Sequence, residues 1–415
     1  MFPASVFKID NGLTLIHQKI STTPVVVTDI WVKAGANLEP ESWCGMAHLL
    51  EHMIFKGTEI LKAGVFDKTI EFLGGVSNAA TSYDYAHYSL TTASTYLEET
   101  LPLMGELLQN AAIPEVELNQ ERKVVLEEIR QASDNPDWIG FQVLFKSIYQ
   151  QHPYGRSVLG SEENVAKYGV EQLRCFHRTH YQPENITVSI AGGIDSSKAW
   201  DLVNRTFDKF APPCFDYPSI QKPIKPTLEG IRRQEISLPR LEQARLLMGW
   251  LAPGVEQFRI GYGLGLLSVI LGGGRTSRLV RDLRENRQLV NGIYSSFSLQ
   301  QQSSLFTINA WLESEQLEQV EELIRLHLQD LISLEITEQE LNRAKRLLCN
   351  DYAFSTETPN QLAGLYGYYK TIASAELSVT YPSSIQSFDA KELQWIAHKY
   401  LSPDNYAVTV VKAED

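Results

Sequence analysis

Three residues in the segment Gly45–Thr58, GMAHLLEHMIFKGT, could do chemistry together: His48, Glu51 and His52. On a helix, residues four apart lie about 40° apart around the axis and one turn along. His48 and His52 would therefore bring their imidazoles to one point. Two neutral imidazoles and a carboxylate suit Zn2+, which takes nitrogen and oxygen ligands tetrahedrally. A catalytic zinc needs a third protein ligand and keeps one position for water. Glu51 stands beside such a cation and not on it, the place for a base that takes a proton from that water. The third ligand must come from another segment. In ERKVVLEEIR (121–130) the acids Glu121 and Glu128 are seven residues apart and share a helix face, whereas Glu127 points about 100° away. Glu128 is the best candidate, although an acidic helix taken alone also reads as a solvated face.

The elements that must hold these groups follow from periodicity. GLTLIHQ and VVVTDIWVKAG carry β-branched residues and partial alternation, as strands do. AHLLEHMIFKG and FDKTIEFLGG read as helices that stop at glycine, and TYLEETLPLMGELLQNA and QERKVVLEEIRQASDN as helices with apolar faces. SNAATSYDYAHYSLTTA alternates as one strand would. Two pairs of segments repeat in the same order. IPEVELNQERKVVLEEI (113–129) parallels ITEQELNRAKRLLCNDY (336–352), and YQPENITVSIAGGID (181–195) parallels YLSPDNYAVTVVKAED (400–415). The repeats imply a duplicated unit. A proline-rich run, KFAPPCFDYPSIQKPIKPTLEG (209–230), separates the halves as a stiff connector. The expected domains are residues 1–210, a linker 211–230, and 231–415. Strands and helices interleave without a regular βαβ spacing, so each domain is expected to be α+β, a mostly antiparallel sheet covered by helices.

Composition narrows the function. The chain has 415 residues, is 43% hydrophobic and 21% charged, and carries a net charge of −13. That charge argues against nucleic acid and anionic membrane surfaces as partners. The longest apolar run, Leu264–Leu271, is too short to span a bilayer. Cys44, Cys175, Cys214 and Cys349 are scattered without a CxxC, and read as reduced thiols of a cytoplasmic protein.

With HxxEH and, 76 positions after His52, Glu128 within ERxVxxxE, the chain resembles the pitrilysin and mitochondrial-processing-peptidase family of inverzincins. GGVSNAATSYD (74–84), HPYGR (152–156), YQPENITVSIAGGID and LGGGRTSRLVRDLREN (271–286) extend the resemblance over the whole chain. It is most similar to the short bacterial members that resemble the processing-peptidase β subunit. The resemblance implies one Zn2+ per chain held by His48, His52 and Glu128, with Glu51 as general base. Glu121 would orient a ligand histidine by a hydrogen bond. Asn78 and Ala79 would lie on an edge strand to which a peptide adds as a further strand. Each chain would form half of a clamshell chamber, with a catalytic and an inert domain. In the inert half Ala344 stands for Glu121, Asp351 for Glu128, and the counterpart of HLLEH falls near Gly263–Leu267.

One departure concerns substrate binding. The family's Arg is present as Arg284, but the Tyr seven residues on is Asn291, with Tyr294 three further along. The expected protein is therefore the zinc-binding subunit of a hetero-oligomeric endopeptidase, its partner a homologous chain that lacks HxxEH and supplies the Arg and Tyr. A homodimer using Asn291 is the second choice. The substrates expected of a closed chamber are short or unfolded peptides, such as targeting or signal peptides and degradation fragments. The rival readings are an inert scaffold subunit and a zinc-binding module without turnover. Intact His48, Glu51, His52 and Glu128 count against both.

Overall fold

In the computed structural model, which describes residues 2–220, 222–239 and 241–414, the β-branched runs become strands of two sheets. The first holds β1 (Ser5–Lys8), β2 (Thr14–Lys19), β3 (Val25–Val32), β4 (Val76–Thr81), β5 (Ala86–Ala93) and β6 (Ile186–Gly192), in the order β1-β2-β6-β3-β5-β4. The second holds β7 (Ile231–Leu238), β8 (Ala244–Pro253), β9 (Gly292–Ser298), β10 (Ser303–Leu312) and β11 (Tyr406–Ala413), in the order β7-β11-β8-β10-β9. All pairs are antiparallel except β2–β6 and β7–β11. Setting β2 against β7 and β6 against β11 gives both sheets one order and one pattern of directions. This is the duplicated, largely antiparallel α+β organisation that the paired segments imply.

Helices α1 (Met46–Ile54), α2 (Val65–Phe72), α3 (Leu97–Asn110) and α4 (Glu115–Ser133) supply Leu50, Phe66, Leu101 and Val125 to one core with Ile30 and Tyr88 of the first sheet. The central strands β3 and β6 are buried almost throughout, because both of their faces are covered. The second cover is the helix Pro359–Ile372, from the other half of the sequence. Reciprocally, α5 (Pro136–Tyr149) packs on β7, β8 and β11. The compact units are accordingly discontinuous: residues 1–130, 157–222 and 355–379 form one, and 131–156, 223–354 and 380–415 the other. They differ from the contiguous halves expected from the sequence in residues 131–156 and 355–379. A strand buried on both faces needs two helical layers, and each half sends one helix to the other's sheet.

Two local expectations need correction. SNAATSYDYAHYSLTTA is a hairpin, not one strand, since β4 and β5 are joined by a turn at 82–85. Residues 36–37 hold that turn: the Ala36 and Asn37 N–H groups donate to the Ser82 and Tyr83 carbonyls, and Asn37 Nδ2 donates to Asp84 Oδ1 at 2.9 Å. Nor are all four cysteines thiols. Cys175 and Cys214 form a disulfide, while Cys44 and Cys349 remain thiols. Cys214 lies in the proline-rich connector, one residue of which, Gln221, is outside the described residues. The bridge and Tyr217, whose hydroxyl donates to Leu38 O at 2.9 Å, anchor that connector to the first unit. The sequence does not reveal a bridge between positions 39 residues apart. Among the described residues, no helix is long and apolar enough to cross a membrane.

Candidate active site

Helix α1 starts at Gly45, where φ is +91° and a Cβ would stand 2.7 Å from Gly160 Cα, so only glycine fits. The buried Glu39 carboxylate accepts from the backbone N–H groups of Gly45 (3.0 Å) and Ala47 (2.8 Å). It satisfies donors that the helix leaves open and places negative charge at its positive end. Leu49, Leu50, Met53 and Ile54 are fully buried in the core, which turns His48, Glu51 and His52 away from it. On α4, the buried Leu118 and Val125 fix the helix in the same way and leave Glu121 and Glu128 facing α1. Glu127 points to solvent and pairs with Arg130, as its angle around the helix implies.

The three expected ligands converge. His48 Nε2 and His52 Nε2 each lie 3.6 Å from Glu128 Oε2, and one ligand atom from each residue lies within 4.8 Å of the others. Tetrahedral ligands about 2.0–2.1 Å from zinc sit roughly 3.3 Å apart, near the two 3.6 Å separations from Glu128. Among the described residues it is the one such group of three. Burial, then the neighbouring His52, lowers His48 to about 4, which keeps its imidazole neutral and able to ligate. His52 Nδ1 lies 3.1 Å from Glu121 Oε2, and Lys56 Nζ lies 2.6 Å from Glu121 Oε1. Burial works to raise Glu121, but the hydrogen bonds from Lys56 and His52 outweigh it and hold the carboxyl below its ordinary value. Glu121 thus stays anionic and directs the His52 Nδ1 proton towards itself, leaving Nε2 for a metal.

Glu51 accepts from Thr81 Oγ1 at 2.6 Å. Burial pushes its carboxyl up, with the Thr81 hydroxyl and His52 opposing and Glu128 adding to the rise. A raised carboxylate close to the metal ligands is a better proton acceptor than an ordinary glutamate. Thr81 ends β4, the edge strand of its sheet, whose residues alternate between exposed and half-buried. Asn78 is exposed and Ala79 packs partly on the core, both opposite β5. A cavity of ≈290 Å3 runs from Glu51 and His52 along Phe55 and Asp67 to Ser77–Ala79.

Arg284 and Asn291 belong to the second unit. Arg284 donates through Nε and Nη2 to Glu285 Oε1 at 2.9 and 2.6 Å. Asn291 has an exposed side chain and precedes β9, its N–H donating to Trp311 O at 2.8 Å. The Tyr294 ring stacks on Trp311, on the face of β9 opposite the core residue Ile293. Where the first unit gathers metal ligands, the second gathers arginines. Arg343 donates to Val269 O and Gly273 O, and Arg278 makes a two-pronged bond to Glu340 at 2.7 and 3.0 Å. Gly263–Leu267 lies within the helix Phe258–Gly272 and offers no ligand.

Sequence reasoning did not find Glu39, Lys56, Phe55, Asp67 or the specific role of Thr81. Lys56 follows His52 by four residues and so shares its face, a usable signal. Glu39 and Thr81 act across folded distance, and nothing in their spacing announces it.

Comparison with known proteins places these features among peptidases. Residues 14–162 match the family model described as insulinase (peptidase family M16), and residues 167–348 match the one described as peptidase M16 inactive domain. The first match holds all three expected ligands, Glu51 and Glu121. The second falls on the half that gathers arginines. A zinc protease of Bacillus subtilis, YmxG, is 31% identical over 85% of each chain. The zinc protease PqqE of Helicobacter pylori is 28% identical over 97% of this chain and 91% of its own. The crystal structure of a protease from H. pylori matches with a TM-score of 0.92 at 28% identity, covering 99% of both chains.

Proposed function

The chain belongs to peptidase family M16, and from that premise we propose that it is a zinc-dependent endopeptidase acting on short or unfolded peptides. The observation that carries this reading is the convergence of His48 Nε2, His52 Nε2 and Glu128 Oε2 beside Glu51 and the edge strand β4. His48, His52 and Glu128 would hold one zinc, with Glu121 orienting His52. When bound, zinc supplies Lewis acidity, which polarises a carbonyl and makes water easier to deprotonate. The other steps belong to the chain. The free edge of β4 offers backbone N–H and C=O groups to an extended peptide, a pairing that tolerates many sequences. Thr81 fixes one carboxylate oxygen of Glu51 and leaves the other to take a proton from the attacking water. Glu51 then returns that proton to the leaving amine. The cavity along Phe55 and Asp67 would receive a substrate side chain next to the cleaved bond.

A hetero-oligomer is part of the proposal. The exposed Asn291, and a Tyr294 committed to the opposite face of β9, support a second chain as the source of the missing tyrosine. A homologous partner without HxxEH is expected to raise cleavage of an internally quenched basic peptide at least about tenfold. Full activity of the chain alone would overturn the hetero-oligomer and leave the homodimer. The Cys175–Cys214 bridge supports an oxidising compartment over the cytoplasm expected from the sequence.

A further inference from the structure

We infer that Asp67 makes the cavity beside Glu51 a subsite for a basic substrate side chain, arginine before lysine. The inference rests on the peptidase reading and names the residue type that the site prefers. Helix geometry and strand register build the cavity. Phe55 follows Glu51 by four residues and so continues its face of α1. Its ring lies 5.8 Å from that of Phe66 and 6.0 Å from that of Tyr88, both fully buried, and is thereby fixed as a wall. Phe66 also pins α2 to the core, which sets its neighbour Asp67 at the same cavity. Ser77 and Ala79, small residues on the face of β4 that carries Thr81, complete it. Paired residues of neighbouring strands send their side chains to the same face. A peptide strand added along the free edge of β4 therefore turns the side chain paired with Ala79 into this space.

The charges decide what that side chain is. Lys56 is engaged within the protein, its Nζ 2.6 Å from Glu121 Oε1. Glu121 also meets His52 Nδ1 at 3.1 Å, and Glu51 accepts from Thr81 Oγ1 at 2.6 Å. Asp67 is exposed, and among the described residues its carboxylate has neither a cation nor a hydrogen-bond donor. Three carboxylates and one ammonium thus line the cavity, and the carboxylate without a partner is Asp67. An acidic occupant would meet charge of its own sign. A leucine would strip water from Asp67 and return no hydrogen bond. An arginine lays its methylenes along the Phe55 ring and gives Asp67 a charge-assisted, two-pronged bond. Lysine brings a similar stem and the same charge, but no fork to match the carboxylate.

The test uses internally quenched peptides with arginine, lysine, citrulline or glutamate at one position, scanned across the residues that flank the cleaved bond. Citrulline keeps the length and planar end of arginine and lacks its charge. The chain is assayed with its partner where one is required. At one position kcat/KM should be about tenfold higher for arginine than for citrulline, with lysine between them and glutamate lowest. Asp67→Asn should abolish the preference for arginine over citrulline at that position, and Asp67→Lys should place glutamate above arginine. Each comparison is made within one preparation, so differences in folded fraction or metal content cancel. Equal rates for arginine and citrulline at every position, or a preference that survives Asp67→Asn, would overturn the inference and leave the peptidase standing. No cleavage of any peptide would refute the peptidase reading instead. The subsite is then judged by the affinities of labelled arginine and citrulline peptides, measured by fluorescence anisotropy. Tighter binding of the arginine peptide that is lost in Asp67→Asn upholds it, and equal affinities overturn it.

Discussion

Glu51→Gln is expected to retain one zinc per chain and to lower kcat/KM on an internally quenched peptide by about 10^2–10^4-fold. The substitution keeps the shape of the side chain, and its amide oxygen can still accept from Thr81 Oγ1, which lies 2.6 Å from Glu51 in the parent. What it loses is the ability to hold a proton. The ligand atoms of His48, His52 and Glu128 converge without Glu51, so metal content should not change. Metal analysis and kinetics on one preparation separate the roles. Loss of zinc would make Glu51 a ligand, and undiminished cleavage would remove it from proton transfer.

The second large effect separates holding the metal from orienting its holder. His52→Ala deletes one of three ligands, and zinc should be absent after dialysis, with cleavage at background. Glu121→Gln touches no ligand atom of the cluster. It does replace an anion that lies 3.1 Å from His52 Nδ1 and 2.6 Å from Lys56 Nζ. A neutral amide no longer fixes the tautomer or raises the basicity of the ring, a change worth about 10–100-fold in metal affinity. The check is a competition titration against a chelator of known affinity. Equal zinc affinity in Glu121→Gln and the parent would reduce Glu121 to a structural acid paired with Lys56.

The grouping of His48, His52 and Glu128 was legible because its signal is local. His48 and His52 are one turn apart on α1, and Glu121 and Glu128 two turns apart on α4, so helix geometry alone sets each pair on one face. What joins α1 to α4 is packing through Leu50, Leu118 and Val125, which the sequence shows only as apolar periodicity. The duplication was legible for a similar reason, since β6 and β11 carry matching runs into matching central positions. The exchange of helices was not. Nothing in DNPDWIGFQVLFKSIY states that α5 covers the sheet of the other half, because an apolar helix face specifies burial and not its partner. The Cys175–Cys214 bridge and the hydrogen bond from Thr81 to Glu51 escaped likewise, being products of the assembled fold.

The central claim is that hydrolysis depends on a metal held by His48, His52 and Glu128. The most direct measurement follows cleavage of an internally quenched peptide by the chain, with its partner where one is required. The metal is first removed by a chelator, and zinc is then titrated back after the chelator has been dialysed away. The account predicts no cleavage without metal and full recovery at one zinc per chain, with no recovery in His52→Ala. Cleavage that persists in the zinc-free protein, or recovery in His52→Ala equal to that of the parent, would contradict it.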